Sequence, residues 1–129
     1  MIIDSSAVFA LLYGESTAER VLEVAVAAPA LRMSVTTWVE AGVVALRRAP
    51  TTPRQVDDLL REMRVEFVPV DMDQARVARD AYRRFGPSSG SRARLTFGDC
   101  FSYALAITSG EALLFVGDDF THTDVQSAL

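Results

Sequence analysis

The chain has 129 residues, 50% of them hydrophobic and 23% charged, with a formal net charge of -4 at pH 7 and one cysteine. That length and apolar content predict a single domain spanning residues 1–129, and a lone Cys100 excludes an internal disulfide or a thiolate metal cluster. No secretory leader is evident, and charges at Glu15, Glu19, Arg20 and beyond keep every apolar run short of the roughly 20 residues that cross a bilayer, so a cytoplasmic protein without a membrane role is expected.

The opening MIIDSSAVFA reads as a short buried strand over Met1 to Ile3 that delivers Asp4 at its carboxyl end. Amphipathic helical patterns follow from Ser6 to Tyr13 and, after Gly14, from Ser16 to Ala28, where Pro29 closes the second. Leu31 to Met33 is a second strand, and Val35 to Arg48 is helical until Ala49-Pro50 stops it. Pro53 suits the first turn of a helix that runs to about Arg64. Val65 to Val70 alternates as a strand does, Asp71 or Asp73 can cap a helix through Phe85, and GPSSGS (86–91) is a loop by composition. Thr96 to Thr108 is a further helix, and Leu113 to Val116 is the last strand, ended by Gly117-Asp118-Asp119. Strands alternating with helices predict an α/β fold, a mainly parallel central sheet flanked by helices, with ligands expected beyond the carboxyl ends of the strands.

All 13 basic residues are arginine, and Arg76, Arg79, Arg83, Arg84, Arg92 and Arg94 fall within one segment. Arginine's planar fork fits phosphate oxygens, so this segment can steer a nucleic acid despite the acidic total. A solvated helix face, with Asp80 as a local partner, explains Arg76, Arg79 and Arg83 equally well.

The acidic residues sort by position. Asp4 follows the first strand, Asp118 and Asp119 follow the last, and Glu40 and Asp99 sit inside apolar helical patterns, in TTWVEAGVV and FGDCFSYALA. Structural readings exist for most: Asp4 as a helix cap, Asp99 as the capping-box partner of Thr96, Asp118-Asp119 as turn residues. Glu40 resists such a reading, because a carboxylate among Trp38, Val39, Ala41, Val43 and Val44 costs several kcal/mol if buried without a partner. Several carboxylates meeting at one sheet end call for a divalent cation. With His122 and Cys100 the only residues of their kind, zinc is disfavoured, whereas Mg²⁺ or Mn²⁺ takes carboxylate and water oxygens and serves phosphodiester hydrolysis. Ser6 can orient a carboxylate or a water, or cap the helix.

MIIDSSAV, TTWVEAGVV, FGDCFSYALA and LLFVGDDFTHTDV, in this order and spacing, resemble the PIN-domain ribonuclease toxins of the VapC family over essentially the whole chain. The resemblance implies an α/β/α sandwich in which Asp4, Glu40, Asp99 and one of Asp118 and Asp119 form an acidic quartet, Asp118 being the favoured fourth member. It implies a metal set of Asp4, Asp99, Asp118 and Asp119 holding Mg²⁺ or Mn²⁺, with Ser6 as the hydroxyl beside the first aspartate. It further implies cleavage of an RNA substrate, a homodimer, and inhibition by a VapB-type antitoxin through which operator DNA is reached only indirectly. Arg83, Arg84, Arg92 and Arg94 are the expected contacts to the RNA backbone. Val116 stands where a lysine is common and Thr96 where an asparagine is common. A phosphoacceptor domain, which needs a lysine, is disfavoured by the absence of any. A catalytically silent module that binds RNA or protein is the standing alternative, although such a module has no need of mutually repelling carboxylates. Trp38, Met33, Met63, Met72 and the phenylalanines read as core or dimer contacts.

Overall fold

The computed structural model describes residues 1–47 and 51–129, so the expected helix stop at Ala49-Pro50 lies outside the described residues. The elements in chain order are β1 (Ile2–Ile3), α1 (Ser5–Tyr13), α2 (Ala18–Ala27), β2 (Arg32–Ser34), α3 (Val35–Arg47), α4 (Pro53–Glu62), β3 (Glu66–Val68), α5 (Met72–Phe85), α6 (Asp99–Ser109) and β4 (Leu113–Leu114). The sheet order is β3-β2-β1-β4 and every pairing is parallel.

Alternation along two-residue strands decides the layers. Ile3 and Leu114 enter one core with Val8, Val21, Met33, Ala41 and Leu60, beneath α1 to α4. Ile2 and Leu113 point the other way and pack with Ala81, Tyr103 and Leu105, beneath α5 and α6. Side chains that alternate across a strand require both faces of β1 and β4 to be covered, which is the condition for a buried parallel sheet. The expected sandwich is therefore what these residues form.

Local chemistry sets the element ends. Asp71, rather than Asp73, caps α5, accepting from the Gln74 amide at 2.8 Å, while Asp73 pairs with Arg76. Thr52 and Gln55 make a reciprocal capping box behind Pro53. The outer edge of β4 is met by the C-terminal segment: Leu113 donates to the Gln126 carbonyl at 2.8 Å and accepts from the Ala128 amide at 2.9 Å. Not every large apolar residue is inside. Met33 is fully buried, but Trp38, Phe67, Met72 and Phe97 are 38%, 46%, 65% and 70% exposed.

The arginine-rich segment divides. Arg83 donates through Nε and Nη2 to Asp80, and Arg84 donates to Asp124 at 2.7 Å and to the Tyr103 hydroxyl at 3.4 Å while lying over the Phe85 ring. Tyr103 is itself buried and donates to Asp124. Burial and the neighbouring Asp124 push the Tyr103 hydroxyl up to about 12, and its hydrogen bonds with those from Arg84 hold Asp124 below the usual carboxylate range. The guanidinium of Arg84, one of the expected RNA contacts, joins α5, α6 and the C-terminal segment. Arg92 and Arg94 are exposed and have no carboxylate partner among the described residues.

Removing the shared acceptor tests this joint. Asp124→Ala leaves the Tyr103 hydroxyl without its acceptor and Arg84 without its carboxylate across the joint, and should lower stability by about 1–3 kcal/mol. Thermal denaturation should show a clear drop in Tm, and an unchanged transition would mean that the three-way contact holds nothing together.

Candidate active site at the carboxyl ends of the strands

Asp4 is the best-determined member of the site. Its backbone amide donates to Leu114 at 2.9 Å, tying the residue to the end of β4, and its carboxylate caps α1. Oδ2 accepts from the Ser6 amide at 2.9 Å and the Ser6 hydroxyl at 2.7 Å, and Oδ1 accepts from the Ser102 hydroxyl at 2.6 Å. The Ser6 oxygen in turn accepts from the Val116 amide at 3.1 Å. Since the Ser102 proton is directed at Asp4, Thr37 must donate its own to Ser102, 2.9 Å away. A relay of buried hydroxyls thus runs from α3 through α6 to a carboxylate that is only 2% exposed.

Glu40 and Asp99 approach from the other two sides. Glu40, on α3, is half-buried, and burial followed by the charges of Asp99 and Asp4 raises its carboxyl to about 7. Asp99 opens α6 and is also raised, chiefly by burial and further by Asp4 and Asp119, against the opposing hydrogen bonds from Thr96. The amide and hydroxyl of Thr96 donate to its Oδ2 at 2.6 and 2.7 Å, and the Asp99 amide returns to the Thr96 hydroxyl at 3.3 Å. The capping-box reading is what the structure shows, and the box employs one oxygen of the carboxylate, leaving the other free of it. Between the two helices, Gly98 makes room: a Cβ there would stand 2.0 Å from the Glu40 Oε1 atom.

These groups line one open cleft of about 420 Å³, with Asp4, Glu15, Glu40, Asp99 and Asp119 around it and no basic residue in its wall among the described residues. The two aspartates after β4, of which Asp118 is the one favoured from sequence, are placed differently. Asp119 lines the cleft and Asp118 does not, because Gly117, at φ +105, swings the chain as it leaves the strand. The Asp118 carbonyl then starts a turn, accepting from the Thr121 amide at 3.1 Å and hydroxyl at 2.6 Å. Ser6 lines the cleft as expected, and Cys100 is no competitor, since burial and Asp99 push its thiol up to about 12.

The donor set fits a hard cation. Carboxylates crowded into a shared, partly dry space raise one another's pKa unless a positive charge joins them, and among the described residues no side chain in the cleft wall supplies one. Among the described residues no three acidic, imidazole or thiol groups stand close enough to enclose an ion unaided. A spread set of this kind suits an ion that keeps several waters in its shell, as Mg²⁺ does.

Reasoning from sequence passed over Ser102, Thr37 and Glu15. The first two had a signal: Ser102 lies three residues after Asp99 and Thr37 three before Glu40, so each is a hydroxyl on the same helical face as an acid. Glu15 had none, since it follows Gly14 in a turn and reaches the cleft only through the path of the chain.

A family model described as PIN domain matches residues 1–126. Among curated relatives, Ribonuclease VapC42 of Mycobacterium tuberculosis is 49% identical over 99% of this chain and 98% of its own length. Ribonuclease VapC28 of the same species is 45% identical over 100% and 98%. Of solved structures, M. tuberculosis VapC20, titled a Sarcin-Ricin loop cleaving toxin, superposes with a TM-score of 0.72 at 18% identity, covering 96% of this chain and 95% of that one. A toxin-antitoxin complex from Klebsiella pneumoniae gives 0.68 at 18% identity over 95% and 92%.

Two outcomes follow from the cleft alone. Glu40 binds its proton more tightly folded than unfolded, so in chelator-treated protein its contribution to stability should fall as pH rises from about 4.5 through about 7. Glu40→Gln should remove that slope in pH-dependent unfolding, and an unaltered profile would place the titration elsewhere. Gly98→Ala should expel the flexible Glu40 carboxylate from its seat at little cost in Tm. A crystal structure of that variant with Glu40 unmoved would refute the packing argument.

Proposed function

The chain belongs to the VapC family of PIN-domain ribonucleases, and we propose that it is the toxin of a type II toxin-antitoxin pair, an endoribonuclease hydrolysing RNA phosphodiesters with the help of Mg²⁺ or Mn²⁺. The observation that carries this reading is the convergence of carboxylates from separate segments on one cleft, with no cation in its wall among the described residues.

Asp4, Asp99 and Asp119 are the residues we assign to hold the ion, with Asp118 set aside because it does not line the cleft. When bound, the ion would supply positive charge and Lewis acidity toward a phosphate and its attacking water. The chain's own groups do the rest. Asp4 offers a carboxylate already fixed by Ser6 and Ser102, so little reorganisation accompanies substrate entry. Glu40, whose carboxyl is held above the usual range by burial and by Asp99 and Asp4, is suited to accept a proton from water and return it to the leaving oxygen. Arg92 and Arg94, exposed and without carboxylate partners, lead into the Thr96–Asp99 segment and would meet the phosphates on either side.

We further read the chain as one domain over residues 1–129, cytoplasmic, homodimeric, and inhibited by a VapB-type antitoxin that alone touches operator DNA. Among the described residues no helix is long and apolar enough to cross a membrane.

Purified chain should cut total RNA at discrete positions with Mg²⁺ or Mn²⁺ present and fail to do so with EDTA or as Asp99→Asn, with new 5′ ends mapped by sequencing. Folded wild-type protein that cuts nothing in either metal would leave the family membership intact and favour the silent binding module.

A further inference from the structure

A second concavity shares a wall with the acidic cleft. The short segment from Thr96 to Phe101 serves both: Thr96 and Asp99 line the cleft, while Phe97, Cys100 and Phe101 line a groove of about 360 Å³ closed on its far side by Arg79 and Tyr82 of α5. The composition of the two differs sharply. The cleft is acidic, whereas the groove holds no acidic residue and carries one exposed cation, Arg79, which has no ion-pair partner among the described residues. Neighbouring arginines on the same helix do not share that freedom, since Arg76 pairs with Asp73 and Arg83 with Asp80.

The aromatic residues are placed as an open platform. Phe97 is 70% exposed and Tyr82 46%, yet Phe97 is braced by the edge of Phe101, with centroids 5.1 Å apart and planes at 75°. A large apolar ring held rigid at the surface, beside an unpaired guanidinium, presents two flat groups on which a flat, electron-rich heterocycle can stack. Single-stranded RNA offers such a group once a base is unpaired, and stacking on aromatic side chains is how proteins hold splayed bases.

Resting on the ribonuclease reading above, we propose that this groove is a base-stacking subsite: Phe97, Tyr82 and Arg79 take an unpaired base of the RNA next to the nucleotide whose phosphate lies among the carboxylates. The shared wall explains why the occupant is the substrate itself rather than a separate molecule. Phe97 and Asp99 are separated by Gly98 alone, so one strand can meet both, and the exposed Arg92 and Arg94 precede them in the chain. The subsite selects for single-stranded segments, because a base held in a duplex cannot leave its stack to reach the ring. It imposes a strand-state preference, leaving the choice of sequence to other contacts.

The test measures binding of a short mixed-sequence fluorescent RNA in EDTA, as a single strand and annealed to its complement, by anisotropy. Wild type, Phe97→Ala, Phe97→Tyr and Arg79→Ala are compared, with the mass of each taken by light scattering. Phe97→Ala should bind the single strand roughly 10- to 100-fold more weakly, in line with the loss of one stacked base, while Phe97→Tyr retains wild-type affinity and the duplex binds weakly throughout. Unchanged affinity in Phe97→Ala overturns the subsite. So does a change in that variant's mass with affinity per protomer preserved, which would assign the groove to a contact between copies of the chain. Cleavage of total RNA separates this proposal from the one it rests on. Wild type that cuts, with a KM unaltered by Phe97→Ala, sinks the subsite alone, whereas wild type that neither binds nor cuts RNA sinks both.

Discussion

The structure is organised around an unfavourable arrangement, the gathering of like charges at one end of a buried sheet. Carboxylates repel, and each one also loses hydration as the cleft closes around it. The fold must therefore supply enough stabilisation elsewhere to hold them, and it does so with two continuous apolar layers that meet at β1 and β4, where adjacent residues face opposite cores. The strands are short because their task is to set positions. Two residues of β1 suffice to bury Ile2 and Ile3 fully and to present Asp4 at a fixed point.

The four carboxylates are not held in the same way. Asp4 accepts three hydrogen bonds, and Asp99 has one oxygen engaged by Thr96. Glu40 and Asp119 depend on position more than on bonds, and Glu40 carries the raised pKa that follows. This grading matches a division of labour in which fixed carboxylates place a cation and a softer one handles protons. The hydroxyl relay from Thr37 through Ser102 makes the same point from beneath, since α3 and α6 are locked to each other at the residue they jointly support.

Much of this was legible in the residue order. Strand and helix patterns from Met1 to Leu114 placed every element with boundary shifts of a few residues, because apolar periodicity and capping residues such as Thr52 and Asp71 act locally. Asp4, Glu40 and Asp99 stood out as charges in apolar surroundings. What could not be read were features set by three-dimensional paths. Asp118 and Asp119 are adjacent in sequence, and which one meets the cleft is set by the path of the chain after Gly117, whose φ is positive. Arg84 looked like its neighbour Arg83, but it reaches Asp124, 40 positions away, where Arg83 pairs within its own helix. Trp38 and Phe97 sit in apolar runs, and their exposure depends on which side of a helix or loop the core happens to occupy.

The double duty of Asp4 makes the site unequal under selection. Any change at Asp4 removes a helix cap and strands the Ser6 and Ser102 donors, so it weakens the fold together with the chemistry. A change at Glu40 removes a charge that the fold tolerates at a cost, so on the role proposed for it, loss of activity there arrives with added stability. A lineage relieved of the need to cut RNA will therefore drift first at Glu40 and keep Asp4 long after, and the order in which the acids disappear from degenerate copies records which of them the fold requires for its own sake.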